Sequence, residues 1–363
     1  MKFLKDKKLV ALILVFVVLL GIYIAISGSR SRKQKDEDIN SQQAITLTAY
    51  QEQDVKSFSY KYDELGIDLH FDRDGVNSWI CREYPDYQID PTKIHMILDD
   101  ILNIKAQRYL EADEYDASDP AYGLAAPEAV VTIDDGTTMT ELTVGGMTGV
   151  WYYCKSNLSD RLYAIANDLM LAIDQTILDV VRFTKLPGIN KTTVRGITLE
   201  YNGSTYVFTP NVTTVIVTGD DGSTSEEEQT IWTSQKNGIL TQTSSSDIEM
   251  GIEALCNLEQ VRCVSYNSSE QDYQAYGISE PYAVFRIDYI DNNGEPASYT
   301  LNCGRLDDAG QSRFVQIGGV DQITTVGSVF DSHILPSLIA NAGEVVDTQE
   351  TIDPHTPFAD FDT

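Results

Sequence analysis

The sequence predicts an α+β protein: an N-terminal transmembrane helix followed by two tandem repeats of mostly antiparallel sheet with covering helices. Three observations predict this. An uncharged run fills Leu9 to Ser27. A phrase occurs twice, Ala-Tyr-Gly-Leu-Ala-Ala-Pro at 121–127 and Ala-Tyr-Gly-Ile-Ser-Glu-Pro at 275–281. Asp-Gly and Asn-Gly turn pairs punctuate β-branched runs in the same order in both halves, the signature of strand hairpins.

The two phrases lie 154 residues apart, and the match extends upstream without a gap. Blocks 90–127 and 244–281 share Ile94/Ile248, Met96/Met250, Asn103/Asn257, Arg108/Arg262, Tyr122/Tyr276, Gly123/Gly277 and Pro127/Pro281. A self-match at fixed offset indicates one structural unit built twice. Each repeated residue has a physical reading. Glycine takes positive φ readily, so Gly123 and Gly277 suit a tight turn. Pro127 and Pro281 fix φ ahead of a strand. Tyr122 and Tyr276 pack a ring on the core with the hydroxyl near water. The phrase is thus a structural turn; the competing reading is a ligand-contacting loop.

The chain divides into a cytoplasmic stub and signal-anchor (1–27), a flexible stalk (28–52), repeat 1 (53–183), repeat 2 (192–340) and a disordered acidic tail (341–363). Nineteen residues from Leu9 to Ser27 at ~1.5 Å each reach roughly the ~30 Å of a bilayer core. A cleavable signal peptide ending near Ala25–Gly28 is the alternative, although the apolar run exceeds the usual h-region. Lys and Arg flank both sides, so orientation rests on the run being the first element, with the C-terminal domain extracytoplasmic.

In repeat 1, Val55–Tyr62 and Ile67–Phe71 alternate as strands, Asp74-Gly75 turns, and Ser78–Cys81 starts the next strand. Asp90 caps a helix with Pro91 at its first position. Ile94, Ile97, Leu98, Ile101 and Ile104 follow helical spacing. Strands Val130–Ile133 and Glu141–Val144 flank Asp135-Gly136. Val150–Cys154 and Leu162–Ile165 follow, then an amphipathic helix over Asn167–Val181. Repeat 2 restates the order, with Trp232 for Trp79, a helix capped at Ser244–Ser246, Asn293-Gly294 for Asp135-Gly136, and Leu301–Gly304 for Leu142–Gly145. Ile323–Val326 leads to a last helix near Val329–Leu338. Asp221-Gly222 sits in a longer arm that Glu226-Glu227-Glu228 is expected to tip. That acidic run reads as a solvated hairpin end or as a docking arm for a basic partner.

The net charge of −29 is uneven. Residues 1–35 hold eight Lys/Arg and one acid, leaving a net of −36 on residues 36–363. Such a surface repels phosphate backbones and argues against nucleic-acid partners. Cys81, Cys154, Cys256, Cys263 and Cys303 form no Cys-x-x-Cys pair and read as free buried thiols, with a Cys256–Cys263 bridge as the alternative. His70, His95, His333 and His355 are scattered. No hydrolase, P-loop or dinucleotide motif occurs. Asp72–Gly75 and Asp288–Gly294 lack calcium-loop spacing and read as turns. No catalytic, cofactor-binding or metal residue is read from the sequence, and the protein is expected not to be an enzyme.

Trp79, the helix from Pro91, Tyr122-Gly123-Leu124 with Pro127, Gly145 and Tyr152-Tyr153, together with the echo at Tyr276-Gly277-Ile278 and Pro281, resemble the domain-of-unknown-function 4340 family of bacteria. The family pattern often has an acidic residue after Tyr-Gly-Leu, where this chain has Ala125 and Ser279, so no role follows from that side chain. The resemblance implies a membrane-anchored protein, in some members associated with gliding-motility-type ABC transport systems, and no catalytic residues. The expected function is a non-catalytic extracytoplasmic accessory or scaffold protein in the cell membrane, beside a transporter subunit or envelope complex. The alternatives are a small-ligand-binding module with its site between the repeats and, last, a hydrolase assembled from distant residues.

Overall fold

The computed structural model describes residues 45–218 and 223–342. The expected anchor, most of the stalk, the Asp221-Gly222 turn and the tail from 343 lie outside the described residues. Among the described residues no helix is long and apolar enough to cross a membrane. The chain forms two compact units, dividing between Arg182 and Phe183.

Unit 1 contains β1 (Ile45–Thr46), β2 (Ser57–Tyr62), β3 (Ile67–Arg73), β4 (Trp79–Cys81), α1 (Pro91–Ile101), β5 (Lys105–Leu110), β6 (Ala129–Asp134), β7 (Met139–Thr148), β8 (Trp151–Ser156), β9 (Leu162–Ile165), α2 (Asp168–Ala172) and α3 (Ile177–Val180). Its nine strands form one antiparallel sheet in the order β1-β5-β9-β8-β7-β6-β2-β3-β4. The alternating residues Phe58, Tyr60, Leu69, Phe71, Val131, Ile133, Leu142 and Val144 are buried, as period-two patterning requires of one sheet face. The helix α1 turns Ile94, Ile97, Leu98 and Ile101 inward.

Unit 2 contains β10 (Val194–Tyr201), β11 (Ser204–Thr218), β12 (Thr224–Lys236), β13 (Ile239–Leu240), α4 (Ser245–Cys256), β14 (Gln260–Tyr266), α5 (Glu270–Ala275), β15 (Ala283–Ile290), β16 (Pro296–Leu306), β17 (Ser312–Ile317), β18 (Gln322–Gly327) and α6 (Leu335–Ile339). Its order is β13-β12-β11-β10-β15-β16-β17-β18-β14. Read from the other edge, eight consecutive positions correspond to those of unit 1, with β14 for β5, β15 for β6, β16 for β7 and β10 for β2. The correspondence extends to register. Phe71 faces Cys81 and Arg73 faces Trp79 in unit 1; Phe208 faces Ser234 and Pro210 faces Trp232 in unit 2. One strand is added on each unit, β1 on the first and β13 on the second, at opposite edges.

Three expectations need correction. The helix expected over Asn167–Val181 is two short helices, because Thr176 takes an extended backbone and starts a new one. The Asp179 carboxylate accepts from Thr176 N (2.9 Å) and Oγ1 (2.6 Å), closing the second N-terminus. The last eight residues of the expected stalk belong to unit 1. Thr48 is 2 % exposed; its Oγ1 donates to Ile101 O (3.0 Å) and accepts from Ile104 N (2.8 Å). Finally, Glu226–Glu228 do not tip the arm. They lie within β12, paired with Ile216, Val215 and Thr214. The final helix also begins with a π-helical turn, Phe330–Ile334; Pro336 supplies no N–H to continue an ordinary ladder.

Asp90 caps α1 by accepting from Thr92 N (2.9 Å). Asp90→Ala is expected to cost about 1 kcal/mol, read as a lower urea midpoint with an unchanged slope.

Candidate functional site

The repeated phrase makes the same local structure twice. In unit 1, Asp119 caps a short 3-10 turn, Pro120–Tyr122, which ends at Gly123 with φ 69°. In unit 2, α5 ends at Tyr276, and Gly277 follows with φ 74°. Each loop then lies against an interruption in a neighbouring strand. The β7–β8 register shifts between Val144 and Met147, and the β16–β17 register shifts between Cys303 and Leu306. These are bulges, where extra backbone leaves the ladder, and each contains a glycine.

The glycines permit backbone to lie directly on backbone. A β-carbon on Gly145 would stand 2.0 Å from Tyr122 O, and one on Gly304 would stand 2.2 Å from Tyr276 O. On the loop side, a β-carbon on Gly123 would meet Gly146 N at 2.5 Å, and one on Gly277 would meet Arg305 N at 2.9 Å. In unit 2 the contact is also a hydrogen bond, Arg305 N donating to Tyr276 O (3.0 Å). Phrase and bulge therefore form a clasp. The Tyr rings flank it: Tyr122 meets Tyr153 edge-on at 4.9 Å, and Tyr276 meets Phe314 at 4.6 Å while its hydroxyl donates to Val264 O. Pro127 and Pro281 follow each clasp, ahead of β6 and β15.

Unit 2 reinforces its bulge from the other side. Arg313, 4 % exposed, donates from Nη1 to Gly304 O (2.5 Å) and from Nε and Nη2 to the Asp331 carboxylate (2.9 and 2.5 Å). Its guanidinium lies 4.0 Å from the Tyr282 ring centroid. Sequence reading missed this network, since Arg313 and Asp331 carry no motif and meet only through the fold.

The chemistry-bearing residues are dispersed. Burial pushes the Cys154 thiol up to about 12 and the Cys256 thiol, aided by Glu253, to about 11. Burial, with Glu83, takes Cys81 to about 11. A thiol so raised is no nucleophile at neutral pH. The five cysteines form no disulfide with one another, so the alternative Cys256–Cys263 bridge is not formed. His70 Nδ1 sits 2.8 Å from Glu83, and His95 Nδ1 sits 2.5 Å from Glu52, which raises its pKa through that hydrogen bond. No group of three metal-ligating side chains gathers among the described residues.

Two concavities stand out. In unit 1, Asp99, Asp100, Asn103, Lys105 and Asp168 line a pocket of about 350 Å³. Burial and then the Asp168 and Asp99 charges hold Asp100 above the ordinary carboxylate range; no Ser, Cys or His lines the pocket. In unit 2, a groove of about 810 Å³ at the root of the β11–β12 arm is lined by Lys191, Arg195, Val212, Glu228, Trp232 and Glu249.

Residues 79–243 match the model of the family described as a domain of unknown function, DUF4340. The match covers 165 of the 363 residues and supports the likeness to this family. The DUF4340 match opens at β4 and closes just before α4. It therefore crosses from unit 1 into unit 2, holding the first clasp and the described arm whole and omitting the second clasp. No curated protein and no solved structure matches the chain.

Proposed function

We propose that this chain is a non-catalytic accessory or scaffold subunit, anchored in the cell membrane by Leu9–Ser27. Its folded units stand outside the cytoplasm, beside an ABC-type transporter or envelope complex. One observation carries the reading. The largest addition of unit 2 to the shared sheet plan is an exposed two-stranded arm, β11 and β12 beyond Pro210 and Trp232. An exposed ribbon of this kind stabilises no core and is suited to contact with another protein.

Cross-linking in intact membranes, then purification of the full-length chain and mass spectrometry, tests this. Reproducible recovery of a permease or ATPase-linked subunit is expected, and deletion of residues 1–27 should abolish it. Recovery of the chain alone, or recovery unaffected by that deletion, would refute the reading.

A further inference from the structure

The strand β11 outruns one of its neighbours. Its pairing with β10 stops at Phe208, whereas its pairing with β12 continues to Thr218 without a register shift. From Thr209 to Thr218 its β10-side edge has no strand partner among the described residues.

Backbone directions along that edge follow from its hydrogen bonds. Asn237 N donates to Thr205 O (2.8 Å), so odd-numbered residues of β11 turn their backbone groups toward β12. Trp232 N donates outward to Ser245 Oγ (2.9 Å) and Ser234 O accepts from Thr241 N (3.0 Å), so even-numbered residues of β12 turn away from β11. By the alternation of an antiparallel ladder, Val212, Thr214, Ile216 and Thr218 aim N–H and C=O at the free edge. Pro210, which has no N–H, stands where pairing with β10 ends.

Natural edges are usually blunted by charges, bulges or brevity. Beyond its root, where Lys191 and Arg195 share a groove with Pro210 and Val212, this one is not. Residues 212–218 are all β-branched and uncharged, Val-Thr-Thr-Val-Ile-Val-Thr. Val212 is 64 % exposed and Ile216 is 72 % exposed. The charge lies one strand away, on Glu226, Glu227 and Glu228. A strand added to β11 would lie about 4.8 Å from it and so roughly 10 Å from β12. Long Lys or Arg side chains reach across that gap with their charged heads in water, and it is about one Debye length at physiological salt. A second copy of this chain is disfavoured by its own charge of −29.

We propose that the free edge of β11, Val212–Thr218, receives an extended basic segment of a partner protein by strand addition, with Glu226–Glu228 selecting its lysines or arginines. This rests on the accessory reading and names the chemistry of the partner.

The test uses the full-length chain in detergent and two capped, fluorescent peptides, one alternating lysine with valine and one alternating glutamate with valine. The lysine peptide is expected to bind, more weakly as salt rises, and the glutamate peptide to fail. Thr214→Pro and Ile216→Pro each remove an N–H that β12 does not use; each should weaken binding at least about tenfold, equivalent to about 1.4 kcal/mol. Glu226→Lys, Glu227→Lys and Glu228→Lys together leave the backbone intact and should reverse the peptide preference. Equal binding of both peptides, no binding of the lysine peptide, or binding that survives both proline variants and the charge reversal would overturn the proposal. So would a concentration-dependent dimer, seen by light scattering and lost in Ile216→Pro, which would assign the edge to a second copy. Cross-links to a transporter that spare the arm would retain the accessory reading and sink this one. Peptide selectivity without membrane partners would do the reverse.

Discussion

Gly145→Ala is expected to destabilise the protein by roughly 3 kcal/mol, the upper end of the usual overpacking penalty. The new β-carbon would stand 2.0 Å from Tyr122 O. Neither side yields cheaply, since both are backbone, one in a bulge and the other in a turn ended by Gly123. Gly304→Ala, with its β-carbon 2.2 Å from Tyr276 O, is expected to cost a similar amount. Gly188→Ala is the control, because no atom lies within 4 Å of its added carbon; it should stay within about 0.5 kcal/mol. Urea denaturation of the three variants measures the difference. Equal midpoints for Gly145→Ala and Gly188→Ala would mean that loop and bulge do not lie together.

Arg313→Ala should cost more, roughly 3–5 kcal/mol, the range for removing one partner of a buried ion pair. The loss has three parts. The Asp331 carboxylate, in a side chain only 28 % exposed, is left without its bidentate partner. Gly304 O loses the Nη1 donor that braces the second bulge. The Tyr282 ring loses its stacked guanidinium. Arg313→Met keeps much of the packing, so it should cost less than alanine, and the gap between them separates volume from charge. A loss below about 1 kcal/mol for alanine, the scale of a surface pair, would show that the network is solvated in solution.

Much of the architecture was legible because duplication writes the same constraints twice. A single Trp79 or Asp74-Gly75 says little, but Trp232 in matching order does, and the two tryptophans occupy the same register position. Capping was legible at Asp90 and Ser244, where side-chain chemistry acts within three residues. The breaks were not. The split at Thr176 depends on a reciprocal cap with Asp179 that competes with a smooth apolar period. The inclusion of 45–52 depends on Thr48 reaching Ile101 and Ile104, a contact without local pattern.

The positive φ at Gly123 and Gly277 follows from glycine in the phrase, but what the phrase lies against was hidden. Gly145 and Gly304 look like strand residues in sequence. Only the fold sets them under Tyr122 and Tyr276, across 22 intervening positions in one copy and 27 in the other. The Arg313–Asp331 network was invisible for the same reason, since unit 1 has Tyr152 at the position corresponding to Arg313. The sequence marks the arm as acidic but puts Glu226–Glu228 at its tip rather than within β12, because strand length beyond a core leaves no mark in hydrophobic alternation.

The central structural claim is that the shared phrase is a clasp closed on a strand bulge in each unit rather than an open ligand loop. Amide hydrogen exchange with mass spectrometry on the full-length chain tests it most directly. In the wild type, the amides of Gly123 and Arg305, which donate to Pro120 O and Tyr276 O, should exchange slowly together with β7 and β16. In Gly145→Ala, protection should fall across 120–127 and β7, and in Gly304→Ala across 274–281 and β16. Fast exchange through both phrases in the wild type, unchanged by either substitution, would contradict the clasp and return the phrase to a loop open to a ligand.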